Sequence, residues 1–339
     1  MDHVRSAATD DARELTDLAR HGPTRPSCSD PALVLGATLL SVARHVALAR
    51  TGDDNVPISL SLVTDQRVHA AGNASVKCVC DVKDGRLNKR RGHYSVYRHN
   101  MIDLHCHILP GLDDGVRTLT EARAIARREA GEGVTVIVAT PHVRDDYPTM
   151  VEQMESAVAA LRNDFAIEGI QVDVVPGAEV DVSFLWQIPP KELTRFTLAG
   201  TGHYLLVEFP YWGWPAALDL AISLLRGRGI CPVLAHPERN PEVQDQPDRL
   251  TAAVESGALV QVTAASLDGR LGPAPRLAVE KLLSLGLVHA LATDAHGPHV
   301  RDAGLVSAIA AIGDPSLARW LTTGVPGAIV SGDSIPARP

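Results

Sequence analysis

The sequence predicts an α/β fold in residues 101–339, a barrel-like ring of parallel strands with helices outside, preceded by a hundred-residue N-terminal extension. Three observations carry this expectation. Seven short apolar, β-branched runs recur from residue 101 onward. Helix-like segments separate most of them, an alternation that implies a parallel sheet. Nearly every run ends in a side chain able to ligate a metal.

The runs are 102–105, 134–140, 171–175, 203–208, 230–235, 259–263 and 288–293. The helix-like segments are 119–130, 150–165, 215–226, 248–256, 273–285 and 300–312. Thr118 with Glu121 three residues later is a capping box for the first helix, and Gly131 is expected to close it. Seven such units in 239 residues match a barrel close in size to the eight-stranded kind. Residues 1–100 say less. They hold one amphipathic candidate helix at 31–50, a polar turn at 52–55, a β-like run at 57–68 and a basic linker ending in KRRGHYSVYRHN. Met101 stands directly before the richest motif, so two expectations remain for the extension: an over-extended gene start, or a regulatory segment.

Composition excludes several classes. Residues 1–100 hold 14 Lys+Arg against 11 Asp+Glu, net +3; residues 101–339 hold 18 against 29, net −11. An acidic body does not suit a binder that works by neutralising nucleic-acid phosphates. The longest apolar run, 32–49, is broken by Arg44 and His45, so no membrane span is expected. Five cysteines, odd in number and without a C-x-x-C pair, give no disulfide framework, and a reducing cytoplasmic location is expected.

The chemistry concentrates in MIDLHCHILPGLDDG, residues 101–115. Residues two apart on a strand share a face, so His105 and His107 aim at one point. Cys106 faces the other way. Asp113 and Asp114 follow, and later strand ends add His142, Glu179, Glu208, His236, Asp294 and His296. In a parallel barrel those ends face one mouth, where active sites lie. Any one of these residues alone reads more readily as a cap or a satisfied core histidine. Placement at strand ends, repeated six times, does not.

In this order, MIDLHCHILPGLDDG, ATPH, GAE, EFP, AHPER and TDAH resemble the signature of the polymerase and histidinol phosphatase (PHP) superfamily. Within it they are most similar to the manganese-dependent tyrosine phosphatases of bacterial capsule and exopolysaccharide loci, the CpsB/CapC type. The resemblance implies a distorted (β/α)7 TIM-like barrel holding three metals, Mn2+ by family, with Fe or Zn also suited to the donors. It implies that His105, His107, Glu179 and Asp294 hold the first metal. Glu179 would bridge to a second bound by Glu208 and His236, and Asp114, His142 and His296 would hold the third. Between Asp113 and Asp114 the choice rests on the family's DDG. Arg239 and Arg301 match positions where the family sets arginines against phosphate, and the implied partner is the phosphotyrosine tail of a bacterial autokinase.

Imidazole and carboxylate donors around adjacent metals suit phosphate ester hydrolysis by a metal-activated hydroxide, with arginine forks on the phosphoryl oxygens. CDVKDGR, beginning at Cys80, has the C-x5-R spacing of cysteine phosphatases. Asp81 and Asp84 in that loop would repel a phosphate, so the match is read as chance. Tyr147, Trp186, Tyr211, Trp212 and Trp214 lie after strand ends and either form an aromatic rim for a phenyl phosphate or pack loops onto the barrel. The alternatives to a protein-tyrosine phosphatase are a small-molecule phosphatase, such as one for histidinol phosphate, and a non-catalytic metal-binding regulatory module.

Overall fold

A computed structural model describes residues 100–298 and 304–339, together with the backbone of a two-stranded antiparallel ribbon, Asp81–Lys83 and Arg86–Asn88. The helix and β-run expected within 31–68 lie outside the described residues, as do Cys80 and Arg301. Arg90–Pro339 form one compact unit, distinct from the unit that holds the ribbon.

Among the described residues of the larger unit, nine of ten strands make seven staves, the tenth being a short return on one of them. They are β1 Met101–Cys106, β2 Val134–Ala139, β3 His142–Arg144, β4 Tyr147–Pro148, β5 Asp173–Pro176, β6 Glu179–Asp181, β7 Tyr204–Glu208, β8 Cys231–Ala235, β9 Leu259–Thr263 and β10 Ala290–Ala292. β2 and β3 are one stave interrupted at Thr140-Pro141, and β5 and β6 are another interrupted at Gly177-Ala178. Proline cannot donate to the ladder, so Pro141 and Pro176 sit where pairing breaks. β2 pairs in parallel with β5 before the breaks, and β3 with β6 after them. From β6 the ladder runs through β7, β8 and β9 to β10, all parallel. Of these ten strands only β4, folded back on β3, is antiparallel.

The ring closes where β10 meets β1. Asp294 N donates to His105 O at 2.7 Å, His107 N donates to Ala295 O at 2.9 Å, and Cys106 and Ala295 form a parallel bridge. Asp103, buried in β1, clasps this seam: its carboxylate accepts from Thr293 N (2.9 Å), Thr293 Oγ1 (2.5 Å) and His105 N (3.3 Å). The fold is thus the distorted (β/α)7 barrel, its distortion located at the two interrupted staves. β1 is buried along its whole length, as a stave covered on both faces should be.

The outer helices follow from period and caps. α1, Leu119–Glu132, buries Ala122, Ile125, Ala126 and Glu129, positions i, i+3, i+4 and i+7. Its capping box forms: Thr118 Oγ1 accepts from Glu121 N, and the Glu121 carboxylate accepts from Thr118 N. Gly133, not Gly131, ends the helix, because Gly133 takes the left-handed conformation (φ 100°) and donates to Glu129 O and Ala130 O. The further helices are α2 Val151–Ile167, α3 Pro190–Arg195, α4 Leu218–Gly227, α5 Pro241–Asp245, α6 Leu250–Glu255, α7 Ala264–Leu267, α8 Pro273–Ser284, α9 Val306–Ile312, α10 Pro315–Arg319 and α11 Val325–Ser331. Among the described residues no helix is long and apolar enough to cross a membrane.

Candidate metal centre

The strand ends meet at one mouth. Register aligns Asp181 with Glu208, Glu208 with Ala235 and Ala235 with Gln261, so Glu208 and His236, which follows Ala235, emerge at neighbouring positions of one rim. Glu179 lies at the centre. Its Oε2 stands 3.2 Å from His105 Nε2, 3.3 Å from His107 Nε2 and 3.1 Å from His142 Nδ1, while its Oε1 lies 2.7 Å from His236 Nε2. Asp294 Oδ1 approaches His105 Nε2 at 3.1 Å and His107 Nε2 at 3.2 Å, and those two nitrogens are 3.0 Å apart. Beyond His107, Asp114 Oδ1 faces His142 Nε2 and His296 Nε2, each at 3.4 Å.

At the mouth, three sets of donors could each surround a cation: His105, Glu179, His236 and Asp294; His107, Asp114, His142 and His296; and His142, Glu179 and Glu208. Donors about 2.1 Å from a common ion stand about 3.0–3.4 Å from each other in octahedral or tetrahedral geometry. The spacings around Glu179 and Asp294 have that size. These sets cut across the grouping implied by resemblance: Glu208 shares a set with His142 and Glu179 rather than with His236, and His107 also joins the outer set.

The histidines are oriented by partners behind them. His105 Nδ1 contacts Gln261 Oε1 (2.9 Å), His107 Nδ1 contacts Asp113 Oδ2 (2.7 Å) and His296 Nδ1 contacts Asp294 O (2.9 Å). Each partner atom only accepts, so Nδ1 carries a hydrogen and Nε2 is the nitrogen turned to the mouth, the one a metal would take. The two aspartates of DDG therefore differ. Asp113 accepts from Gly115 N and His142 N and backs His107, whereas half-exposed Asp114 looks into the outer set. His236 (φ 36°) and Asp294 (φ 51°) both hold the left-handed backbone that β-carbons disfavour, strain typical of functional sites.

Electrostatics point the same way. Burial opposes a charge on His105, yet Glu179 and Asp294 outweigh it and raise its pKa to about 10. Asp113 does the same for His107. Burial and Arg239 instead push His236 down to about 4, and burial lifts the Glu208 carboxyl to about 8, helped by neighbouring Glu179. Glu208 Oε2 and His236 Nδ1 are buried without a hydrogen bond among the described residues, and the wholly buried Glu179 carboxylate faces imidazoles on both oxygens. Buried carboxylates in this state call for cations, and oxygen with imidazole nitrogen suits Mn, Fe or Zn. The residues fit a divalent cluster.

Arg239 is buried beside the centre, its guanidinium on Asp294 Oδ2 (2.5 Å), Thr263 Oγ1 (2.9 Å) and Tyr211 OH (3.4 Å). Sequence reasoning missed Arg144, which binds Glu208 Oε1 at 2.9 Å. The period-2 spacing from His142 could have found it, as a lone glutamine in the apolar run LVQVT could have found Gln261. The aromatic residues divide. Tyr147 stacks on His142 (6.0 Å between rings) and Tyr211 on His236 (5.8 Å), while Trp214 packs against Phe209 and Arg249. Cys106 is buried, its thiol pushed up by burial, with Sγ against Ala295 O.

A parallel barrel whose mouth gathers five imidazoles and four carboxylates has the architecture of a PHP-type protein. Residues 101–315 match the family described as "Capsular polysaccharide synthesis, CpsB/CapC", and the chain belongs to that family. It is 33% identical over 205 residues to the tyrosine-protein phosphatase YwqE of Bacillus subtilis, covering 60% of this chain and 80% of that one. It is also 33% identical over 199 residues to the putative tyrosine-protein phosphatase CapC of Staphylococcus aureus, covering 58% and 77%. A solved structure from work on YwqE and on CpsB of Streptococcus pneumoniae, described as unique metal-dependent tyrosine phosphatases, superposes with TM-score 0.65 at 30% identity, covering 70% of this chain and 96% of that one.

Proposed function

We propose that this chain is a metal-dependent protein-tyrosine phosphatase, a phosphoric monoester hydrolase whose catalytic domain is residues 101–339, with residues 1–100 outside it. Its proposed substrate is the phosphotyrosine of a bacterial tyrosine autokinase that regulates capsular or exopolysaccharide synthesis, met in the cytoplasm. The observation that carries the reading is Glu179: a wholly buried carboxylate ringed by four imidazoles at 2.7–3.3 Å.

In this reading His105, His107, Asp114, His142, Glu179, Glu208, His236, Asp294 and His296 hold a three-metal centre, with Mn2+ as the native ion. Bound there, the metals would activate water and neutralise charge on the phosphoryl group. The chain's own residues do the rest. Asp113, Gln261 and the Asp294 carbonyl hold three imidazoles by Nδ1 and turn Nε2 toward the centre. Arg144 keeps Glu208 turned with Oε1 outward, which leaves Oε2 for the centre. Arg239, fixed by Asp294 and Thr263, has an Nε with no hydrogen bond among the described residues and is the proposed phosphoryl clamp, with Arg301 as its second arm.

The test compares turnover of a phosphotyrosyl peptide with that of histidinol phosphate by the manganese-loaded protein. A preference for the peptide is expected. A large preference for histidinol phosphate would reject the reading in favour of a small-molecule phosphatase.

A further inference from the structure

A further cluster of donor side chains joins β1 to the helix outside it. Asp103, Cys106 and Glu129 are fully buried, and a donor atom of each lies within 4.8 Å of the others. Strict alternation would set Asp103 on the same face as His105, but the pairing of β1 with β2 shifts register between Asp103 and Cys106. The two carboxyl groups bind each other. Glu129 is hydrogen-bonded to Asp103, and burial, with Asp103 beside it, pushes the Glu129 carboxyl well above the usual carboxylate range. Such a pair bonds through one hydrogen, and Asp103 already accepts three others, so Glu129 supplies it.

Asp103 directs its acceptors at the chain beside two residues of the mouth. Its Oδ1 takes His105 N (3.3 Å) and Thr293 N (2.9 Å), and its Oδ2 takes Thr293 Oγ1 (2.5 Å). Thr293 Oγ1 in turn accepts from Ala295 N at 3.2 Å, which bridges over Asp294. Asp294 N donates to His105 O at 2.7 Å, and the two side chains meet with 3.1 Å between Oδ1 and Nε2. Bracing of this kind is needed at Asp294, whose left-handed backbone (φ 51°) is one that a β-carbon disfavours. One buried carboxylate therefore ties down the main chain of both residues.

We propose that Asp103, braced by Glu129, is a positioning residue of the metal centre: it sets the main chain from which His105 and Asp294 reach one common cation. This rests on the metal centre of the phosphatase reading and requires nothing of the substrate. Losing the clasp lets the two ligands drift apart, so metal affinity and coordination geometry change together.

Full-length protein stripped of metal is titrated with Mn2+ by calorimetry, and the visible absorption spectrum of the Co2+-loaded form is recorded. Wild type is compared with Asp103→Ala, Asp103→Asn, Thr293→Val and Ile125→Ala. Asp103→Ala is expected to weaken Mn2+ binding about 10- to 100-fold and to shift the Co2+ bands, which follow ligand geometry. Asp103→Asn keeps an acceptor for both backbone amides and recovers most of the loss. Thr293→Val is close in size and removes only the hydroxyl; it is expected to lose about 3- to 10-fold, which decides the matter if Asp103→Ala does not fold. Ile125, buried in the same helix as Glu129, reports on stability alone: Ile125→Ala lowers Tm and leaves the Co2+ bands in place. Unchanged Mn2+ affinity and Co2+ bands in Asp103→Ala or Thr293→Val, an Asn variant no better than Ala, or an equal loss in Ile125→Ala would overturn the positioning role while wild type still binds metal. A wild type that takes up neither ion would overturn the metal centre itself, and the positioning role with it.

Discussion

Glu238, the third residue of AHPER, offers the sharpest test of how the mouth is built. Its side chain is fully buried, and its Oε1 accepts from Thr263 N at 3.0 Å and from Ser266 Oγ at 2.7 Å. Thr263 also takes the Arg239 guanidinium on its hydroxyl, so Glu238 and Arg239 grip one residue at the end of β9 from two sides. This grip holds the turn in which His236 adopts its left-handed backbone. Glu238→Ala strips two buried donors of their acceptor, at about 1–3 kcal/mol each, and opens a cavity. The sum is about 3–5 kcal/mol, or a fall of about 6–20 °C in Tm at about 2–4 °C per kcal/mol for a domain this size. Glu238→Gln should behave differently. Oε2 makes no hydrogen bond among the described residues, and burial already pushes this carboxyl upward, so an isosteric neutral amide keeps the acceptor and relieves desolvation. Its Tm is expected within about 3 °C of wild type, roughly 1 kcal/mol. Thermal unfolding of the three proteins decides. Equal destabilisation by Gln and Ala would refute the hydrogen-bond argument and place the stabilisation in the charge facing Arg239.

Asp113→Ala removes the acceptor that fixes the His107 tautomer and is expected to weaken metal affinity about 10- to 100-fold; titration of chelated protein with Mn2+ measures it. A β-carbon on Gly115 would overlap the His107 carbonyl oxygen and stand 2.5 Å from His107 Cβ. Gly115→Ala is therefore expected to destabilise the domain by about 2 kcal/mol or more and to lose bound metal, read by calorimetry and metal analysis. Burial, with Arg338 nearby, lowers the His289 pKa to about 4 from 6.5. Below pH 6.5 the unfolded chain then binds a proton that the native protein refuses, so stability falls as pH drops from 6.5 to 4, by at most about 3 kcal/mol. Urea titrations should show that slope flattened in His289→Asn, and an unchanged slope would contradict the assignment.

The staves were legible in the sequence because buried parallel strands are short β-branched runs, and all seven expected runs lie on them. Their polar last residues marked the mouth for the same reason, since a barrel tolerates such groups only where strands end. The interruptions at Pro141 and Gly177 were not legible; each reads as the end of a run, and only pairing on both sides shows one stave continuing. Helix ends depended on which glycine could turn left-handed, and Gly133 lies two residues beyond the one expected. The strand-end residues were legible as a list of candidates, and the structure brings them to one mouth; which of them lie within reach of a common point, as His142, Glu179 and Glu208 do, is set by the fold and not by spacing in the chain. The rim was ambiguous for a similar reason: Trp214 and Trp212 are two residues apart, and only the grip of Asn240 and Glu242 on the loop turns one inward and leaves the other exposed.

The central claim, that the nine strand-end residues hold metals that hydrolyse phosphotyrosine, is tested most directly by measuring metal content and phosphotyrosyl-peptide hydrolysis on the same samples of wild type and His107→Ala. His107 touches Glu179, Asp294 and His105 at 3.0–3.3 Å, so its loss opens the most crowded part of the centre. Wild type is expected to retain divalent metal and to hydrolyse the peptide until chelated. His107→Ala is expected to lose metal and about 100-fold or more in kcat/KM, about 2.7 kcal/mol of transition-state stabilisation. Metal-replete wild type without hydrolysis, or a variant that keeps both metal and activity, would contradict it.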